Sequence, residues 1–312
     1  MQSVRTLMTA SVDYAGLFPP ATLDMHAAVR NYADYRAGPF AWMLGRFVVP
    51  VARLDEFERA AQGLLPADPM DVWRLTALTA PAGDPSLDAD LDRIFEFNAV
   101  HSLEDPEGDP DAGGAVIDMI ELKADDSRAA DAAIDILPQD MRAFFELPIH
   151  HDPRGLVASL AGEPGVGAKV RTGGVTPDAF PSPEHLARFI VACSAAAVPF
   201  KATAGLHHPL RAPYRLTYKP DAPTGVMFGF LNVFLASALA YVDRLGAPDV
   251  LRILEETSRD AFTFDDRGVI VRGRRLENDR LSRARESFIL SFGSCSFTEP
   301  VDELKALGAL PS

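Results

Sequence analysis

The feature that most constrains the fold is a repeated alternation of short β-rich segments with longer amphipathic helical segments. Eight strands are predicted, at 6–12, 46–51, 73–78, 116–123, 142–149, 167–172, 199–203 and 288–292. A helix follows most of them, which forces neighbouring strands to pair in parallel because each helix is the crossover to the next strand. A (β/α)8 barrel allots roughly 31 residues to each unit. The better-defined strands match that spacing, so the pattern predicts an α/β fold of the TIM-barrel type.

The rival architecture is an open, doubly wound parallel sheet. Such sheets usually carry a GxGxxG fingerprint after the first strand, and the sequence has none. The prediction is therefore a single barrel domain over residues 1–312. The alternation breaks after the seventh strand, so about 212–285 is predicted to be an insertion with extra helices and a β-hairpin at 262–264 and 269–271. Residues 104–114, rich in Asp, Gly and Pro, are predicted to form a loop.

Charge and composition exclude several classes of function. The chain carries 44 acidic and 30 basic side chains, a net charge of −14, which argues against nucleic-acid binding. Two cysteines, Cys193 and Cys295, form neither a disulfide framework nor a CxxC motif. With no signal-like N-terminus, the expected location is the cytoplasm.

One uncharged segment, 222–242, approaches the length of a membrane span. Pro and Gly interrupt it, so a buried or subunit-interface helix is predicted and no membrane contact. An exposed apolar stripe would be unfavourable on a monomer, which makes a homo-oligomer the expected state.

Charged residues lie in the middle of four consecutive predicted strands. Because helices cover the outside of a barrel, such charges face the interior, where each costs several kcal/mol unless it is paired. The alternation of side chains places these residues on shared faces that end at the catalytic side of the barrel: Glu121 and Lys123, Glu146, Lys169 and Arg171, and Lys201 and Thr203.

The charged members of this cluster are four cations and two carboxylates, so the pocket is predicted to be positive and its substrate a small carboxylate or phosphate. Arg171 suits a bidentate contact with such an anion. Gly173 and Gly174 would let backbone N–H groups approach an oxyanion.

The two lysines suggest covalent chemistry. Lys169 and Lys201 are predicted at similar depths on adjacent strands, where two ammonium groups lower each other's pKa. A neutral amine is what Schiff-base formation requires. One lysine would attack a carbonyl, and Glu146 or Glu121 would carry protons.

The segment Phe200-Lys201-Ala202-Thr203-Ala204-Gly205 resembles the Lys-Thr-Ser-Thr-Gly strand that carries the Schiff-base lysine of deoxyribose-phosphate aldolases. Lys169 followed by Gly173-Gly174 is similar to the second lysine strand of that family. The resemblance covers about a dozen residues. It implies a barrel class I aldolase with Lys201 as the nucleophile and Lys169 as the neighbour that lowers its pKa.

Three loops carry further candidate residues. His207 and His208 follow the seventh strand, as acid–base groups or substrate contacts, or as metal ligands together with Glu146. Ser294 follows the eighth strand, where barrels often bind phosphate. Asp13 begins an apolar, proline-rich loop that would form a wall of the pocket and supply an acid or base.

The favoured prediction is an enzyme, aldolase- or lyase-like, that acts on a small anionic carbonyl compound through a Schiff-base lysine and needs no cofactor. Two alternatives stay open. One is a lyase, isomerase or hydrolase that depends on a divalent metal held by His and Glu. The other is a ligand-binding barrel without catalysis.

Overall fold

The computed structural model describes residues 1–103 and 113–311, and its centre is a closed, parallel, eight-stranded barrel. Each strand pairs with its neighbours in chain order, and the last strand pairs with the first. The barrel strands are β1 (Val12–Tyr14), β2 (Leu44–Pro50), β3 (Trp73–Leu78), β4 (Ala115–Lys123), β5 (Arg142–Glu146), β6 (Val166–Arg171), β7 (Phe200–Thr203) and β8 (Ile289–Ser294). The predicted (β/α)8 barrel is confirmed. Most of the loop predicted at 104–114 lies outside the described residues.

Helices surround this barrel and cover its apolar outer face. They are α1 (Gln2–Met8), α2 (Met25–Ala37), α3 (Leu54–Ala61), α4 (Leu87–Val100), α5 (Ser127–Ile134), α6 (Arg154–Ser159), α7 (Pro183–Ala196), α8 (Phe230–Asp243), α9 (Ala247–Leu254), α10 (Asn278–Ser287) and α11 (Thr298–Ala306). Capping residues in the local sequence determine where several of these helices begin. Asp24 accepts a hydrogen bond from the Ala27 N–H at the start of α2, and Ser182 caps α7, whose first residue is Pro183.

The predicted first strand, 6–12, is wrong. Residues 2–8 form helix α1, and the strand begins only at Val12. Val4, Leu7 and Met8 recur at helical spacing and are buried. They give α1 an apolar face that packs against α10, so the short run of β-branched and apolar residues forms a helix instead of a strand.

Between β7 and β8 the chain forms two small antiparallel sheets as well as α8, α9 and α10. The first is a hairpin of Ala212–Arg215 and Thr224–Met227. The second confirms the predicted hairpin of Phe262–Phe264 and Gly268–Val271 and adds a third strand, Arg274–Glu277, that was not predicted. Arg272 and Gly273 both have positive φ, which suits the tight turn to this third strand.

The uncharged segment 222–242 divides between the hairpin and α8. Its helix is almost wholly buried within one chain, against α7, α9, α10 and β8. It is the predicted buried helix, and it leaves no exposed apolar stripe to support the predicted homo-oligomer. Among the described residues, no helix combines the length and the apolar character needed to cross a membrane.

Candidate active site

The strand register aligns four charged residues across the barrel. Lys123 is the Cα partner of Glu146, Glu146 of Lys169, and Lys169 of Lys201. Lys169 and Lys201 are therefore direct register partners on adjacent strands. In parallel strands held in this register, the side chains of paired residues point to the same face of the sheet, which for these residues is the barrel interior.

Five side chains form one alternating series of ion pairs, which we call the charge chain: Asp13, Lys201, Glu121, Lys169 and Glu146. Lys201 Nζ lies 2.8 Å from Asp13 Oδ2 and 2.7 Å from Glu121 Oε1. Lys169 Nζ lies 2.8 Å from Glu121 Oε2 and 2.9 Å from Glu146 Oε2. Each ammonium therefore lies between two carboxylates, and Glu121 joins the two halves.

Asp13 occupies a different place from the predicted one. It was expected in a loop at the barrel mouth, but it belongs to β1 and is buried. Its Oδ2 also accepts a hydrogen bond from Ser291 Oγ at 2.6 Å, and its Oδ1 accepts one from the Arg46 N–H at 2.8 Å. Because both of its carboxylate oxygens have hydrogen-bond partners, Asp13 is held in place as the counter-charge of Lys201.

The two lysines differ in access. Lys201 is 1% exposed, and its ammonium lies 3.2 Å from Met119 Sδ and 5.6 Å from the ring centre of Phe144. Lys169 is also mostly buried, but it lines the cavity described below, whereas Lys201 does not. Of the two lysines, Lys169 is therefore the one that borders this cavity.

The pKa values of the chain follow from its ion pairs. Burial opposes the charge of Glu121, but the Lys169 and Lys201 ammonium groups outweigh it and lower the pKa of Glu121 to about 2. Burial likewise opposes the charge of Lys169, and the Glu121 and Glu146 carboxylates raise its pKa above the ordinary lysine value. The predicted lowering of the Lys169 pKa by Lys201 is therefore wrong, because a carboxylate lies between the two amines.

A cavity of about 480 Å³ opens above the charge chain at the C-terminal ends of the strands. That volume suits a small molecule. One wall is apolar and contains Phe18, Pro19 and Pro20, as predicted for the loop after the first strand. Glu121, Glu146 and Lys169 line the same cavity.

Arg171 and Lys123 supply the exposed positive charge of this cavity. Both side chains line it, and neither forms an ion pair with another described residue. The charged side chains of the strands that line the cavity are therefore three cations (Lys123, Lys169, Arg171) and two carboxylates (Glu121, Glu146). The balance is positive by one, where the sequence prediction gave two, because Lys201 does not line the cavity.

The glycines and Thr203 have separate roles. Thr203 and Gly174 line the cavity, but Gly173 does not. A Cβ on Gly173 would lie 2.3 Å from the Phe180 ring, and Gly205, with φ +73°, comes close to Gly173 itself. Of the two glycines predicted to contact an oxyanion, Gly174 is therefore the one that borders the cavity, while Gly173 allows two loops to approach each other.

A second polar group lies on the cavity wall, and we call it the thiol cluster: Cys295, His207, Glu299 and Tyr218. Cys295 and His207 line the cavity. His207 Nδ1 lies 3.9 Å from Cys295 Sγ and 3.5 Å from Glu299 Oε2. The Tyr218 hydroxyl lies 3.5 Å from Cys295 Sγ and donates to Glu299 Oε2 at 3.1 Å.

Two predicted substrate contacts do not face the cavity. His208 pairs through Nδ1 with Glu303 and stacks on Tyr214 at a centroid distance of 3.5 Å. Ser294 is buried, where its Oγ donates to the Ser296 carbonyl at 2.7 Å and lies 3.4 Å from His207 Nδ1.

The alternative metal site of His207, His208 and Glu146 is not assembled. Adjacent histidines in extended chain point to opposite sides, so His208 turns away from the cavity that His207 lines. In residues 1–103 and 113–311, no group of three or more His, Cys, Asp or Glu side chains is placed to hold a metal ion.

Sequence reasoning missed Glu299 and Tyr218, which complete the thiol cluster. Glu299 belongs to the first turn of α11, and Tyr218 lies in the connection between the two hairpin strands 212–215 and 224–227. For Glu299, the sequence held one signal, its position four residues after Cys295 in the loop and helix that follow β8. No spacing in the sequence links Tyr218 to that site.

Comparisons with known proteins add little. No protein-family model matches the chain, and no curated protein matches it. Among solved structures, the chain is similar to the citrate lyase beta subunit complexed with oxaloacetate and magnesium from M. tuberculosis. The sequence identity is 10%, the TM-score is 0.37, and the match covers 64% of this chain and 81% of that one. A likeness this distant does not bear on the reaction.

Proposed function

We propose that this protein is an enzyme that forms a Schiff base between Lys169 and the carbonyl carbon of a small anionic compound. The observation that carries the proposal is the access of Lys169 to the cavity while it lies between two carboxylates. The resemblance to aldolases pointed to Lys201, but that residue does not line the cavity. The proposal therefore assigns the nucleophile to Lys169 and a counter-ion role to Lys201.

Glu146 is the proposed proton carrier. It lines the cavity, and its Oε2 lies 2.9 Å from Lys169 Nζ. Transfer of one ammonium proton to Glu146 leaves a neutral amine, whose lone pair forms the N–C bond as the C=O π pair moves to oxygen. Two protons, one lost by the nitrogen that has just formed the N–C bond and one returned by Glu146, then convert that oxygen into a leaving water molecule. The product is an iminium ion that can withdraw electrons from a neighbouring C–C or C–H bond.

Arg171 and Lys123 are the proposed binding groups for the anionic end of the substrate. Both lie in the upper part of the cavity, where their charges are not neutralised by another described residue. A guanidinium can hold a carboxylate or phosphate through two hydrogen bonds. The apolar wall of Phe18, Pro19 and Pro20 would cover the carbon skeleton.

The raised pKa of Lys169 gives the proposal a kinetic signature. The free amine is a minor species at neutral pH, so the rate of adduct formation should rise with pH throughout the neutral and mildly alkaline range. An active site with an already neutral lysine would show no such rise.

The test is borohydride trapping, read by intact mass and peptide mapping. The protein is incubated with small 2-keto acids, aldehydes and sugar phosphates, with and without borohydride, and compared with Lys169→Met and Lys201→Arg. We expect an adduct on Lys169 in the natural protein, none in Lys169→Met, and retained trapping in Lys201→Arg, which keeps the buried positive charge. Ligand-induced thermal stabilisation without any adduct would overturn the proposal in favour of a binding barrel. An adduct that persists in folded Lys169→Met would also overturn it.

A further inference from the structure

The thiol cluster combines a sulfur, an imidazole and a carboxylate at the wall of the same cavity, and the charge-chain mechanism uses none of them. Cys295 is 5% exposed and His207 is 7% exposed, yet both line the cavity. Cys295 and His207 are therefore shielded from bulk water but accessible to a molecule in the site, whereas Tyr218 is exposed. Such partly buried thiols beside a cation are the reactive ones in proteins.

The contacts of His207 favour a proton on Nδ1. Within the described residues, every hydrogen-bond contact of the His207 ring is made by Nδ1, which faces Cys295 Sγ, Glu299 Oε2 and Ser294 Oγ. A proton on Nδ1 can therefore serve both acidic neighbours at once. Burial opposes the charge of His207, but the contacts with Cys295 and Glu299 outweigh it and raise the pKa of His207 to about 9.

This arrangement differs from a hydrolase triad. In a triad the nucleophile and the orienting carboxylate contact opposite nitrogens of the histidine ring. Here both face the same nitrogen, so Glu299 cannot orient a base that removes the thiol proton through the other side of the ring. The cluster suits a preformed thiolate and imidazolium pair instead. Besides the four members of the cluster, the titratable groups that face it within the described residues are Tyr14 and His208.

We propose that Cys295 is a second nucleophilic centre of this cavity, held as a thiolate by the His207 imidazolium, and that it adds to the carbonyl carbon of small anionic aldehydes. The anionic preference follows from Arg171 and Lys123, which line the same cavity. This site goes beyond the Schiff-base proposal, because it requires neither Lys169 nor Glu146.

The step is a simple addition. The sulfur lone pair forms the S–C bond as the C=O π pair moves to oxygen, and that oxygen takes the Nδ1 proton of His207. The products are a neutral hemithioacetal and a neutral imidazole. The reverse step restores both charges, so the adduct is reversible and needs no external oxidant or reductant.

The test measures the rate of Cys295 alkylation by iodoacetate between pH 6 and 9, with peptide mapping. Cys193 is an internal control, because it is fully buried, burial raises the pKa of its thiol, and its labelling would report unfolding. We expect Cys295 to react at a rate nearly independent of pH over this range, while Cys193 stays unlabelled. In His207→Asn, the rate at pH 6.5 should fall at least tenfold and should rise with pH like that of an ordinary thiol.

Glyoxylate is the probe for aldehyde addition. It should slow the alkylation of Cys295 in the natural protein and also in Lys169→Met, so failure of the Schiff-base proposal would leave this result unchanged. Identical pH profiles for the natural protein and folded His207→Asn would overturn the thiolate pair. Absence of glyoxylate protection in folded Lys169→Met would overturn the aldehyde adduct. An iodoacetate-to-iodoacetamide rate ratio no higher than that of free cysteine would overturn the anionic preference.

Discussion

The charge chain and the thiol cluster face the same cavity but are built in different ways. All five members of the charge chain lie on barrel strands, in a register fixed by backbone pairing. In the thiol cluster, Cys295 and His207 follow strand ends, Glu299 lies on α11, and Tyr218 belongs to the connection between two hairpin strands. One cavity can therefore combine side chains held on barrel strands, as in the charge chain, with side chains that loops bring together, as in the thiol cluster.

The two regions also differ in what holds their charges. In the charge chain, each ammonium contacts two carboxylates at 2.7–2.9 Å, and the central carboxylate is 6% exposed. In the thiol cluster, the contacts of His207 Nδ1 are longer, at 3.4–3.9 Å. Removal of one buried partner should therefore cost stability in the charge chain and mainly reactivity in the thiol cluster.

The largest expected difference concerns Lys201. Lys201→Met would leave Asp13 and the Oε1 atom of Glu121 buried without a counter-charge. The free energy of unfolding should therefore fall by about 3–5 kcal/mol. Lys169→Met should cost less, because Glu121 keeps Lys201 and Glu146 borders the cavity. Urea unfolding measures both, with Lys201→Arg as the matched control. Equal losses for the two Met variants would contradict the fixed role of Lys201.

This contrast could be predicted from the sequence only in part. The alternation of side chains along β4 to β7 placed Glu121, Glu146, Lys169 and Lys201 on faces directed to the barrel interior, because successive side chains of a strand point to opposite faces. It did not reveal that Glu121 lies between the two lysines, and so it gave the wrong direction for the Lys169 pKa. Side-chain pairing inside a barrel depends on its curvature and on residues of β1, which the chain supplies more than a hundred residues earlier.

The second largest effect is expected at acidic pH, where the charge chain should lose stability. The pKa of Glu121 in the folded protein is about 2, below the roughly 4.3 of an unfolded glutamate, so its contribution is present above pH 4.3 and is lost as the pH falls towards 2. The difference corresponds to about 3 kcal/mol. Unfolding free energies measured from pH 5 to pH 2 should show this loss. A Glu121→Gln variant with an equally steep acid loss would contradict it.

Alkaline pH should affect the thiol cluster. His207 has a folded pKa of about 9 against roughly 6.5 when unfolded, so its stabilising contribution is complete below pH 6.5 and is lost as the pH rises through 9. The full loss is comparable with that for Glu121, about 3 kcal/mol, but part of it falls above pH 9.5, outside the measured range. Thermal unfolding between pH 6 and 9.5 measures it. His207→Asn should lack the alkaline decline, and its persistence there would assign the decline to other groups.

The smallest effect is expected for the exposed cations. Arg171→Met should weaken binding of a small carboxylate or phosphate about tenfold, or roughly 1.4 kcal/mol, with little change in thermal stability. Lys123→Met should give a smaller loss, because an ammonium does not form the bidentate contact. Isothermal titration measures both affinities. Unchanged affinity in Arg171→Met would remove this residue from the binding site.

The parts that the sequence did not predict share a physical cause. The thiol cluster depends on where the connection between two hairpin strands brings Tyr218, and on the turn at Ala204 and Gly205, whose positive φ directs the chain towards His207. Such loop paths follow from long-range packing, which periodicity does not encode. The barrel itself was predictable because each of its units repeats the same local pattern.

The most direct test of the central claim is a crystal structure of the borohydride-trapped adduct. The account predicts continuous density from Lys169 Nζ to the substrate carbon, the anionic end beside Arg171, and Lys201 unchanged between Asp13 and Glu121. Density joined to Lys201, with Lys169 still paired to Glu121 and Glu146, would contradict it.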